Sequence, residues 1–153
     1  MIARIAQGMA MIVTENLKMT TKDYLKQYQN MMDEVRCLDT EIEELWTQLT
    51  SATSSNDGMP KGSVSDRQTK LHAIMADKLQ AKKKKKQEAE EIMAEVLETI
   101  DKVTDPNYRL ILFERYIQGK EWVDISEHIG YVEEYVRGEL HGKALNEIRF
   151  IMG

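Results

Sequence analysis

From Tyr24 onward, apolar residues stand at Tyr24, Tyr28, Met31, Val35, Leu38, Ile42, Leu45 and Leu49, in alternating steps of four and three. That spacing keeps one stripe of a helix apolar and makes the seam of a coiled coil, so it predicts a helix from Thr21 to Thr50. Thr20 or Thr21 supplies its cap. The pattern stops in TSATSSNDGMPKGSVS, residues 50–65, where turn formers cluster without periodicity and predict a flexible loop. A second run, capped by Ser65 or Asp66, passes through His72, Met75, Leu79, Lys82, Lys86, Ala89, Met93, Val96, Ile100 and Val103. Lysines interrupt this seam in its middle. Folding the chain back near Gly58 sets Lys82 to Lys86 opposite residues 30–34, where Asp33 and Glu34 can meet them.

The pattern breaks again at Thr104-Asp105-Pro106, since proline cannot continue a helix but suits the first turn of the next, with Asp105 as cap. Beyond it the sequence predicts a helix from Pro106 to Gln118, a stop at Gly119, a short helix from Glu121 to Ile129, a turn at Gly130-Tyr131-Val132 and a last helix from Glu133 to Ile151. The expected architecture is all-α: a long antiparallel helical, coiled-coil hairpin over 19–104, then a three-helix module of helix-turn-helix type over 105–153. In that module Ser126 is the small residue at the crossing, Gly130 makes the turn, and Ile125, Ile129, Val136 and Leu140 lock the helices together. At 49 residues it is expected to lean on the hairpin or on another subunit. Residues 1–18, opening MIARIAQGMAMIV, are interrupted by Arg4, Gln7 and Gly8 and are read as an N-terminal extension. The stretch is too short to span a bilayer, which needs about 20 apolar residues.

Composition supports the helical reading: 7% aromatic and 31% charged residues favour long helices over a β-sandwich. Twenty-one Lys and Arg against 26 Asp and Glu leave a net charge of −5, so no global positive field draws the chain to nucleic acid or anionic lipid. Any DNA contact must come from a local patch. A single cysteine, Cys37, excludes an intramolecular disulfide and a cysteine-built zinc site, and fits a reducing cytoplasm. His72, His128 and His141 have no metalloprotease spacing, and no phosphate loop or nucleophile elbow is present, so neither an enzyme nor a cofactor is expected. The run Lys82 to Lys86 is read mainly as a solvated helix face, because the seven bases from Leu71 to Thr104 are matched by seven acids. Trp46, Trp122 and the seam methionines Met31, Met75 and Met93 are read as packing residues.

The stretch RYIQGKEWVDISEHIGYVEEYVRGELHGKAL, residues 115–145, resembles region 4 of bacterial sigma factors, with its apolar helix, glycine, first helix, turn and recognition helix. The layout from Met19, with the heptad hairpin and DPNYRLILFERYIQGKEWVDI, is similar to small phage and prophage sigma-like transcription regulators of Gram-positive bacteria. That resemblance implies a cytoplasmic regulator that binds double-stranded promoter DNA through the helix starting at Glu133, with host RNA polymerase as partner; the heptad seam itself serves an intramolecular hairpin or a homodimer equally. It implies DNA-facing roles for Tyr135, Arg137, His141 and Lys143, with Lys120 beside them. The chain departs from the pattern at Val132, Glu134, Gly138, Glu139 and Gly142. Four acids against three bases from Glu133 to Arg149 make the helix a poor unaided phosphate binder, which keeps a protein-interaction adaptor as the competing expectation.

Overall fold

The computed structural model describes residues 19–54 and 61–153. Residues 1–18, expected as an extension, and residues 55–60, at the centre of the expected loop, lie outside the described residues. Among the described residues all regular structure is helical: α1 Thr21–Ser54, α2 Lys61–Asp101, α3 Pro106–Leu112, α4 Trp122–Ile129, and α5, running through Glu133–Tyr135, Val136–Leu140 and His141–Met152. None of these helices is long and apolar enough to cross a membrane.

Both long helices run into the segment expected to loop. Helix α1 ends at Ser54, and α2 begins at Lys61, ahead of the expected cap. The hydroxyls of Thr50 and Ser51 donate to the carbonyls of Trp46 at 2.9 Å and Gln48 at 3.2 Å. Residues that usually favour turns thus bond back into the preceding turn and stay helical. At the other end of α1, Thr20 and Asp23 cap one another: the Asp23 amide donates to Thr20 Oγ1 at 3.1 Å and the Thr20 amide to Asp23 Oδ2 at 3.4 Å.

The chain divides into two compact units, Met31–Ala89 and the remainder, in which the chain up to Asn30 joins Glu90–Gly153. In Met31–Ala89 the inward seam of α2 is Leu71, Met75, Lys78, Lys82, Lys85 and Ala89, whereas His72, Leu79 and Lys86 face solvent. This corrects the expected register. Apolar spacing favours Leu79, but Lys78, Lys82 and Lys85 can lay their aliphatic stems along the seam and extend their charges outward. They pair with Glu41 at 2.5 Å, with Asp39 and with Glu34. Residue numbers fall on one helix as they rise on the other, so these segments run antiparallel. Glu34 meets a lysine as expected, while Asp33 pairs with Arg36 on its own helix. Trp46 is exposed and is no packing anchor, a second correction.

The other unit joins the ends of the long helices to the short ones. Leu25, Val96, Val103, Leu112, Ala144 and Ile148 form its centre. The break at Thr104-Pro106 therefore separates helices without separating cores, and a boundary between domains does not fall there. Locally the break is built as its sequence predicts: Asp105 accepts from the Asn107 amide at 2.8 Å, and Pro106 opens α3. Arg109 donates to the Val103 carbonyl at 3.1 Å and closes the end of α2.

Candidate nucleic-acid interface

Helix α4 ends at Gly130, whose φ of 88° lies in the left-handed region that glycine enters without a Cβ penalty. Its amide donates to the Ser126 carbonyl at 2.9 Å, and Ser126 is itself buried at the crossing. The backbone then extends at Val132, whose carbonyl accepts from the Tyr135 and Val136 amides at 3.1 Å each. Among the described residues, no side chain caps α5 at this point. Ile125 and Val136 are completely buried with Ile111 and Leu140, and Trp122 and Ile129 pack at the edge. This core fixes the angle at which the start of α5 leaves α4.

Two wide turns interrupt the short helices. Helix α3 passes into a π turn over Phe113–Ile117, and α5 contains another over Val136–Leu140, where the His141 amide reaches back to the Val136 carbonyl. Each wide turn adds one residue to the helical count and rotates the residues beyond it by about 100° relative to the face pattern of an uninterrupted helix. Gln29 of α1 holds the end of the first turn, donating from Nε2 to the Tyr116 and Ile117 carbonyls at 3.2 and 2.8 Å.

The second turn corrects one expected site residue. His141, four residues after Arg137, would share its outward face on a regular helix, but the added residue turns it inward to 6% exposure. Tyr116 donates its hydroxyl to His141 Nε2 at 2.7 Å, Trp122 meets the ring edge-on at 4.6 Å, and the other side of the imidazole bonds the Arg137 backbone. Burial lowers the His141 pKa to about 4 and pushes that of Tyr116 up to about 12. His141 is a neutral core residue and cannot touch a DNA groove.

Tyr135, Arg137 and Lys143 do lie on the outer surface of α5. Tyr135 rests against the ring of Tyr131, with centroids 5.6 Å apart. Arg137 pairs with Glu133 at 3.6 Å and Lys143 with Glu139 at 3.0 Å, each one helical turn back. The hydrogen bond to Glu139 raises the Lys143 pKa. Lys120 lies before α4 and reaches inward, its ammonium 3.0 Å from Glu114 Oε1. Glu114 is only 2% exposed, and the same oxygen also bonds His128 Nδ1. Lys120 is thus a partner of a buried acid, and its expected DNA role is corrected to that extent. Arg115 lies 4.7 Å over the Trp122 ring and donates to the Lys120 carbonyl, which stiffens the approach to α4.

Sequence reasoning missed the apolar tip beside these residues. Val123, Tyr131 and Val132 are exposed alongside the expected Tyr135, Val132 to 73%. The signal was present in Tyr131 and Val132 directly after a left-handed glycine, a place where side chains project from a turn. Among the described residues, no group of three or more His, Cys, Asp or Glu is placed to hold a metal ion. Comparison with models of protein families, with curated proteins and with solved structures finds no match to the chain.

Proposed function

We propose that the protein is a sigma-region-4-like, non-enzymatic transcriptional regulator of phage type, whose helical hairpin carries a helix-turn-helix that docks the start of α5 into the major groove of double-stranded promoter DNA. The observation that carries this reading is the α4–Gly130–α5 junction. Ile125 and Val136, both fully buried, hold the second helix on the first while Tyr135 and Arg137 stay exposed at its leading end. A recognition helix needs that combination of a fixed entry angle and free N-terminal side chains. Arg137 is the residue suited to guanine, and the apolar tip at Val132 and Tyr135 suits thymine methyl groups. Host RNA polymerase supplies the affinity that an acidic helix lacks.

A second reading, a protein-binding adaptor, is favoured by one observation: Arg137 and Lys143 both spend their charge on acids of their own helix. Capture of phage and host DNA fragments by the purified protein, with and without RNA polymerase and at two salt concentrations, separates the two. Enrichment of a discrete fragment that Arg137→Ala loses supports the regulator. No enrichment in any condition, with a protein partner captured instead, overturns it in favour of the adaptor.

A further inference from the structure

The cations expected at the helix-turn-helix are spent on acids: Lys120 on Glu114, Arg137 on Glu133 and Lys143 on Glu139. A module of this kind rests on DNA through cations that meet the phosphates beside the groove, so those contacts have to come from elsewhere in the chain. Among the described residues, Lys22 and Lys26 at the start of α1 are exposed and pair with no acid. Asp23, between them in the chain, is held in the cap with Thr20. Lys22, Lys26 and Gln29 stand at steps of four and three, on one face of α1. Gln29 is bonded to the Tyr116 and Ile117 carbonyls ahead of α4, and Leu25, fully buried, shares a core with Ala144 and Ile148 of α5. This face is therefore fixed beside the helix-turn-helix. Lys22 also stands near enough to His141 for its charge, with that of Arg115, to help lower the imidazole pKa. His141 in turn meets the ring of Trp122, the first residue of α4, and Arg115 lies over the same ring. Lys22 and Arg115 thus border the start of α4.

We propose that Lys22 and Lys26 form a phosphate-binding edge beside the helix-turn-helix, on which one DNA strand lies while the start of α5 enters the major groove. Resting on the regulator reading, this edge gives the module phosphate contacts that α5 lacks, in addition to what RNA polymerase supplies. In helix-turn-helix docking the first helix crosses the backbone while the second reads the bases, so cations bordering the start of α4 face a phosphate strand. Lysine suits that task, because its ammonium is a point charge on a flexible stem and follows a phosphate without selecting a base. One turn of helix carries the two lysines about 6 Å apart along α1. Leu25 and Gln29 anchor the helix under them, so binding orders side chains and not backbone. Arg115 adds donors at the same border: Nη1 serves the Lys120 carbonyl, Glu121 approaches only to 4.0 Å, and a guanidinium has five N–H groups to offer.

Affinity of the full chain for a captured DNA fragment, measured over a range of salt and with RNA polymerase wherever capture requires it, tests the edge. Lys22→Gln with Lys26→Gln should weaken binding and lower the slope of log affinity against log salt by about 1.8, or about 0.9 for each phosphate contact. Wild type should therefore lose about tenfold more affinity than this variant over a roughly fourfold rise in salt. Preference among fragments should stay the same, whereas Arg137→Ala should change it. Lys22→Arg with Lys26→Arg should keep the wild-type affinity and slope. Both lysines are exposed, so circular dichroism of the glutamine variant should match that of wild type. A glutamine variant with wild-type affinity and slope, one with an altered fragment preference, or a loss that arginine does not restore would each overturn the edge and leave the regulator reading standing. A wild-type chain that retains no DNA fragment, with or without RNA polymerase, would overturn both.

Discussion

Tyr116 and His141 meet at 2.7 Å inside the second unit, and each is brought there by a π turn, Tyr116 within the first and His141 directly after the second. The bond joins the wide turn that follows α3 to α5, the helix proposed to read DNA. It also makes the stability of this unit depend on pH.

Burial holds the folded-state pKa of His141 at about 4, below its ordinary value of 6.5. Between those two values the unfolded chain binds a proton that the folded chain refuses, so stability is complete above pH 6.5 and falls as the pH drops toward 4. The expected loss is on the order of 3 kcal/mol. Thermal melts from pH 7 to pH 4 should show the decline, and a Tyr116→Phe, His141→Leu double variant should lose the part of the slope that lies in this window. Tyr116→Phe alone should cost about 1 kcal/mol at neutral pH by removing the hydrogen bond.

Gly119 has a φ of 69°, and a Cβ built on it would lie 3.2 Å from Gln29 Oε1. Gly119→Ala therefore meets backbone strain of about 1 kcal/mol and also displaces the Gln29 amide from the Tyr116 and Ile117 carbonyls. Gln29→Ala removes the same bonds without the strain. Chemical denaturation should rank Gly119→Ala as the more damaging of the two, and equal effects would place the cost in the lost hydrogen bonds alone.

The lysine run is two populations. Lys82 and Lys85 pair across to α1, whereas Lys83 and Lys84 point to solvent on the far side of α2. Lys82→Glu or Lys85→Glu should lower the melting temperature, because each sets like charges together at a seam, while Lys83→Glu or Lys84→Glu should leave it nearly unchanged. The partly exposed pairs contribute only about 0–1 kcal/mol each, so the difference should shrink at high salt.

Glu133 restrains Arg137 from one turn away. If α5 reads DNA, Glu133→Gln frees the guanidinium and removes a negative charge near the phosphates, so binding should tighten and the slope of affinity against salt should steepen. Filter binding or fluorescence anisotropy at several salt concentrations measures both. Weakened capture of a protein partner, with DNA retention unchanged, is the result the adaptor reading requires.

Much of the architecture arises from local rules and can be read from the chain alone. The four-and-three spacing from Tyr24 to Leu49 makes a long helix with one apolar stripe, and every residue of that stripe is at least partly buried. Asp105-Pro106 and Gly130 act through their own backbone chemistry, so the cap and the left-handed turn stand where the residues call for them. The packed set Ile125, Val136 and Leu140 was legible for the same reason, since helical periodicity carries it.

Features that depended on distant partners were decided only by the tertiary structure. The register of α2 was ambiguous by one residue in sequence, and it was resolved by acids on another helix at Glu34, Asp39 and Glu41. The grouping of cores across Thr104 arose because the ends of α1 and α2 offered apolar surface that the short helices needed. The inward turn of His141 required the wide turn in α5, which no periodicity announces, because its extra residue is stabilised by Tyr116 and Trp122 from elsewhere in the chain. Spacing along one helix determines which residues share a face. Packing between helices determines where a face is broken and what it meets.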